Sequence, residues 1–189
     1  MKPNPHPWAG DLSQLFVEVW RRLSRGVHDR HAPARHPTLA TVTPDGRPQA
    51  RTVVLRAANK PAGTLDLHTD LRSAKVQELR AMPFAALHVW DTSAHLQVRL
   101  EARVEILTGQ DVAMIWAGVP EASRMAYGTS PAPGQLIADA LAYTKGPDAA
   151  FFAVLRLNVS SIDTLHLGPN HRRARFDRLD GWTGVWLTP

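Results

Sequence analysis

The chain has 189 residues, with 22 Lys+Arg against 17 Asp+Glu, giving a formal net charge of +5. Hydrophobic residues at 44% and charged residues at 21% describe a folded globular chain and exclude a disordered tail. The absence of cysteine excludes disulfides, zinc–thiolate sites, iron–sulfur clusters and a cysteine nucleophile.

Asp11 caps a predicted amphipathic helix over about 11–25, whose apolar face carries Leu12, Leu15, Phe16, Val19, Trp20 and Leu23, with Gly26 expected to end it. Arg21, Arg22 and Arg25 crowd its last turn, where cations favour the helix dipole. The Pro44-Asp45-Gly46 turn separates a strand over 36–42 from one over 49–56. A strand over 64–69 leads to a short helix over 72–81 with Ser73 near its start, then to a strand over 84–90. Residues 95–107 alternate cleanly, with Leu96, Val98, Leu100, Ala102, Val104 and Ile106 on one face. Residues 110–143 read as helical, broken at Pro120 and at Pro131-Ala132-Pro133-Gly134. Strands over 151–157 and 161–167 and a hairpin over 172–187 complete the chain. This succession predicts an α+β fold, a closed antiparallel barrel in meander order with peripheral helices, as one domain over 1–189 with the barrel from about 37. The apolar runs are too short to cross a bilayer, and Met1-Lys2-Pro3-Asn4-Pro5 leads into no signal-peptide core, so a cytoplasmic protein without membrane contact is expected.

Nucleotide-binding glycine loops, Walker loops, H-E-x-x-H and G-x-S-x-G are all missing. His28 and His31 lie in a polar connector, and no metal site is predicted there. The 171–175 stretch is basic but lacks the interleaved aromatics of a single-strand binder, so no nucleic-acid partner is expected. The informative set is Arg51 and Arg56 around Thr52-Val53-Val54-Leu55, then His68-Thr69-Asp70 at a strand end, then Arg72-Ser73-Ala74-Lys75 opening a helix. Free N–H groups, hydroxyls and cations converging at such a junction suit a phosphate. Gln97 and Arg99, on the polar face of the alternating strand, suit the edge of a heterocycle.

That ordered series, continued by Glu78-Leu79, Trp90, Gln97-Val98-Arg99, Ser123-Arg124, Pro131-Ala132-Pro133-Gly134 and Trp182, resembles the pyridoxamine 5′-phosphate oxidase-like FMN-binding split-barrel family. It is most similar to the oxidase-related branch. The resemblance implies an antiparallel Greek-key split β-barrel and a homodimer with FMN at the subunit interface. It implies flavin contacts from Arg51, Val53, Val54, Leu55, Arg56, His68, Thr69, Arg72, Ser73, Lys75, Gln97 and Arg175, with Gln97 reaching the flavin of the other subunit. Ser123, His171 and Arg173 match substrate positions, and the arginines suggest an anionic small-molecule substrate. The chain departs from the pattern at Ala74, where an arginine usually precedes the phosphate lysine, so Arg72 is expected to compensate. It departs again at Leu165, which replaces a flavin-contacting tryptophan, and at Ile115 and Val119, which replace donors to the substrate phosphate. The expectation is therefore an FMN-dependent oxidoreductase of unassigned substrate, whose pyridoxamine 5′-phosphate oxidase activity does not follow from the resemblance. The alternative is a non-catalytic module for flavin, deazaflavin or haem, the last through His68, His88 or His95.

Overall fold

The computed structural model describes residues 5–189; most of the N-terminal stretch read for a signal peptide, residues 1–4, lies outside them. The first helix, α1 (Leu12–His28), starts where the Asp11 carboxylate accepts from Gln14 N–H at 2.8 Å. Leu15, Val19, Trp20 and Leu23 are buried along its inner stripe. Gly26 does not end it. The helix runs two residues further, and a Cβ at Gly26 would stand 2.6 Å from the Ala34 carbonyl carbon. The glycine is there for close approach of two backbones, a role that its position near a helix end disguises.

Among the described residues nine strands form one antiparallel sheet: β1 (Thr38–Val42), β2 (Pro48–Thr52), β3 (Leu55–Asn59), β4 (Thr64–Asp70), β5 (Phe84–Asp91), β6 (Leu96–Thr108), β7 (Phe152–His166), β8 (Arg172–Asp177) and β9 (Gly184–Leu187). The order is β2-β1-β5-β6-β7-β4-β3, with β8 also on β7 and β9 beyond it. Two expectations are corrected here. The order is not a meander, because β1 lies beside β5 and β4 beside β7. The barrel is also not closed by hydrogen bonds. The 49–56 run, read as one strand, breaks at Val53-Val54 into β2 and β3, which sit at opposite ends of the order. The physical reason is a change of partner: β2 pairs with β1, β3 with β4, and Val53 N–H turns to the Pro37 carbonyl at 3.0 Å.

Strand β7 explains the split. Its first half pairs with β4, from Asp70↔Phe152 to Thr64↔Asn158, and its second half with β8, from Ser161↔Asp177 to His166↔Arg172. The break expected between 157 and 161 is instead a bulge: Val159 opposes Ala102, Ser161 opposes Glu101, and Ser160 is the extra residue. The inward residues of β6, Leu96, Val98, Leu100, Ala102 and Val104, join Leu155, Leu157 and the α1 stripe in one core.

Helices α2 (Ala74–Ala81), α3 (Ala113–Gly118) and α4 (Glu121–Arg124) flank the sheet. The helical reading of 110–143 holds only for α3 and α4. Residues 125–148 carry no helix and are tied by a Ser130–Thr144 bridge and by Asp148 N–H to the Tyr127 carbonyl at 2.8 Å. Gly128 takes φ +136°, and a Cβ there would meet the Gly146 carbonyl oxygen at 2.2 Å, so the local pattern is overruled by a turn.

Candidate functional site

The break that opens the barrel also makes its main candidate site. The Val53-Val54 link, the end of β4, the start of α2 and the 126–133 loop enclose a cavity of about 390 Å³. It is lined by Arg51, Val53, Val54, Arg56, His68, Thr69, Ser73 and Lys75, joined by Thr52, Asp70, Ala126, Tyr127 and Pro133. That volume falls in the usual range for small-molecule sites.

At one end stands a cradle of donors. Lys75 Nζ donates to Thr69 Oγ1 at 3.1 Å and Ser73 Oγ at 3.2 Å, and the two hydroxyls lie 3.1 Å apart. Thr69 and Ser73 are buried. Burial first, and the neighbouring Arg51 charge second, hold the Lys75 ammonium below its ordinary value. Lys75 forms no ion pair among the described residues, so the chemistry of this donor set fits a phosphate.

The other wall is aromatic and basic. Burial, then the Arg56 charge, push His68 down to about 4, so its ring is neutral at neutral pH. The ring packs edge-on against Phe152 at 5.0 Å between centroids. Tyr127, 6% exposed, contacts Phe152 and Trp116, and burial raises its phenol while the Arg56 charge opposes that shift. Sequence reasoning missed Tyr127 because it falls in the stretch misread as helix, where no periodicity marks it.

The remaining expected residues lie elsewhere. Leu55 is fully buried beside the cavity, and its carbonyl accepts from Arg35 at 3.2 Å. Arg72 does not reach the cradle to stand in for an arginine at 74. It forks onto Asp70 at 3.0 and 2.7 Å, donates to the Thr129 carbonyl at 2.9 Å, and stacks on Phe151 at 3.6 Å. Ser123, on α4, lines neither this cavity nor the one described next. His171 and Arg173 border a separate cavity of about 340 Å³ with Gly10, Arg172, Trp186 and Leu187. Arg173 pairs with Asp163 at 2.9 Å, and Arg175 with Asp177 at 2.9 Å. Gln97 opposes Leu165, which opposes Arg173. His68 opposes Val154 on the same strand β7, so eleven residues separate the two groups, or roughly 35 Å along an extended strand. The expected site residues thus form two clusters at opposite ends of β7.

Among the described residues no helix is long and apolar enough to cross a membrane. A family model described as pyridoxamine 5′-phosphate oxidase, FMN-binding domain, matches residues 17–108. A pyridoxine/pyridoxamine 5′-phosphate oxidase of Gloeothece citriformis is 39% identical over 122 residues, which are 65% of this chain and 52% of that protein. The chain spans about half the length of the curated relatives it matches. Among solved structures, a pyridoxamine 5′-phosphate oxidase-related, FMN-binding protein of Nostoc punctiforme superposes with a TM-score of 0.76 and 25% identity over 100% of both chains. PhzG of Burkholderia lata shares the fold, with a TM-score of 0.74 and 21% identity over 99% of this chain and 98% of that one. The family segment ends with β6, and the fold likeness extends over the whole of β7 to β9. The chain is thus similar to the pyridoxamine 5′-phosphate oxidase-like, FMN-binding split-barrel family, through residues 17–108 by the family model and over its whole length by fold.

Proposed function

We propose that this chain is an FMN-binding oxidoreductase that acts as a homodimer on a small anionic substrate. The observation that carries the reading is the Lys75 cradle. A half-buried ammonium bonded, among the described residues, only to hydroxyls, with Arg51 beside it, leads directly onto an apolar link and an aromatic wall. In this reading Lys75, Thr69, Ser73 and Arg51 hold the cofactor phosphate, while Val53 and Val54 back the ring. FMN supplies the two-electron redox chemistry when bound; the protein binds it, orients it and shields it. Arg56 forms no ion pair with a carboxylate among the described residues and lines the cavity, which favours an anionic substrate group at that wall. His68, neutral beside it, holds no competing charge.

The cluster of Gln97, His171, Arg173 and Arg175 serves the same cofactor only if a second copy presents it. The placement of the two clusters at opposite ends of β7, eleven residues apart within one chain, supports that dimeric arrangement. Titrating cofactor-stripped protein with FMN, followed by quenching of flavin fluorescence, tests the reading. One FMN per chain, with binding weakened at least tenfold in Lys75→Met, is expected from the loss of a charge-assisted contact. A colourless protein that leaves FMN fluorescence unchanged contradicts it.

A further inference from the structure

Glu78 belongs to the sequence pattern but to none of the roles assigned so far. It follows Lys75 by three residues on α2, so the two side chains share a helix face. On that face lies Arg51 of β2, whose Nη2 donates to Glu78 Oε2 at 2.9 Å. Thr41 of β1 closes the figure: its hydroxyl donates to the same Oε2 and accepts from Arg51 Nη1. Glu78 is 6% and Thr41 3% exposed, whereas the Arg51 side chain keeps 23% and lines the cavity. Two of the five guanidinium N–H groups are therefore committed to this frame, while the side chain as a whole lines the cavity.

A buried carboxylate is costly, and an apolar residue would join α2 to the sheet at least as well if packing were all that mattered. The cost is met here by one arginine and one hydroxyl that both lead to the cradle. Resting on the FMN reading above, we propose that Glu78, together with Thr41, is a positioning residue for the cofactor phosphate. It holds the Arg51 guanidinium against the Lys75–Thr69–Ser73 cradle and balances its charge, so that two adjacent cations tolerate each other before the anion arrives. Glu78 itself touches neither cofactor nor substrate in this scheme; it acts through Arg51.

FMN and riboflavin share the ring and differ by the phosphate, so the ratio of their affinities isolates the cradle from general packing. Wild type is expected to prefer FMN. Glu78→Leu reduces that preference roughly tenfold while the riboflavin affinity is kept, and Thr41→Val, similar in shape, reduces it by a smaller factor. Arg51→Ala shows the same loss, and adding Glu78→Leu to it removes nothing further, because both act through one contact. Equal loss for both flavins in Glu78→Leu, or additive losses in the double variant, makes Glu78 a packing residue and overturns the proposal. If thermal melting shows that Glu78→Leu does not fold, Thr41→Val decides, and an unchanged ratio there overturns it. A wild-type protein that binds neither flavin, or both equally, overturns the FMN reading itself and needs no variant to be seen.

Discussion

His68 and Lys75 are basic groups that the folded chain keeps from charging freely, and the sign of the effect is the same for both. Folded His68 stays neutral down to about 4, whereas an unfolded histidine takes its proton near 6.5. Between those values the unfolded state binds more protons, so stability falls as pH drops from 6.5 toward 4 and levels below. His166 is also held at about 4, by burial and by His6, Arg172, His95 and His171, so it adds a second contribution over the same window. Urea midpoints measured across pH 4 to 7 should therefore show a steep acid limb, which His68→Phe flattens in part. An unchanged slope in that variant contradicts the neutral, half-buried state assigned to His68. Arg72 makes a different prediction. Its loss leaves the nearly buried Asp70 carboxylate, 4% exposed, without its fork, so Arg72→Leu should cost about 2 kcal/mol after allowance for solvent around the arginine. A chemical melt indistinguishable from wild type would show that the Asp70 fork does not matter to stability.

The elements follow from local pattern where one partner governs them, and depart from it where two partners compete. The alternation in β6 and the apolar stripe of α1 each face a single core, and both are legible from their periods. The run over 49–56 reads as one strand, yet its halves answer to strands at opposite ends of the sheet order, β2 pairing with β1 and β3 with β4. Gly26 is a similar case. In sequence it reads as a stop, but α1 continues past it to His28, and Ala34 packs against the place where a side chain would stand. Gly26→Ala should accordingly lower stability by about 1–3 kcal/mol through overpacking, although alanine is the better helix former by up to about 1 kcal/mol. A thermal midpoint at or above wild type would contradict that close contact. The cradle was legible because strand end, hydroxyl and helix start are consecutive in the chain. Tyr127 and the Glu78–Thr41–Arg51 frame were not, because they depend on a loop and two strands meeting α2.

At the scale of the molecule, the two clusters lie at opposite ends of β7. Gln97 and Arg175 are the residues whose expected role a lone chain cannot meet, since the cradle lies at the other end of the strand. Mixing Lys75→Met with Arg175→Ala protein, each impaired in FMN binding, should restore about one intact site in each heterodimer, because one site receives both defects and the other neither. No recovery on mixing would place the two residues in the same half of the assembly. The cradle is tested most directly by the stoichiometry and phosphate dependence of flavin binding to cofactor-stripped wild-type protein. Saturation at one FMN per chain is expected, with riboflavin bound at least tenfold more weakly for want of the phosphate contacts. Saturation with riboflavin at the same affinity, or no quenching of FMN at all, would contradict it.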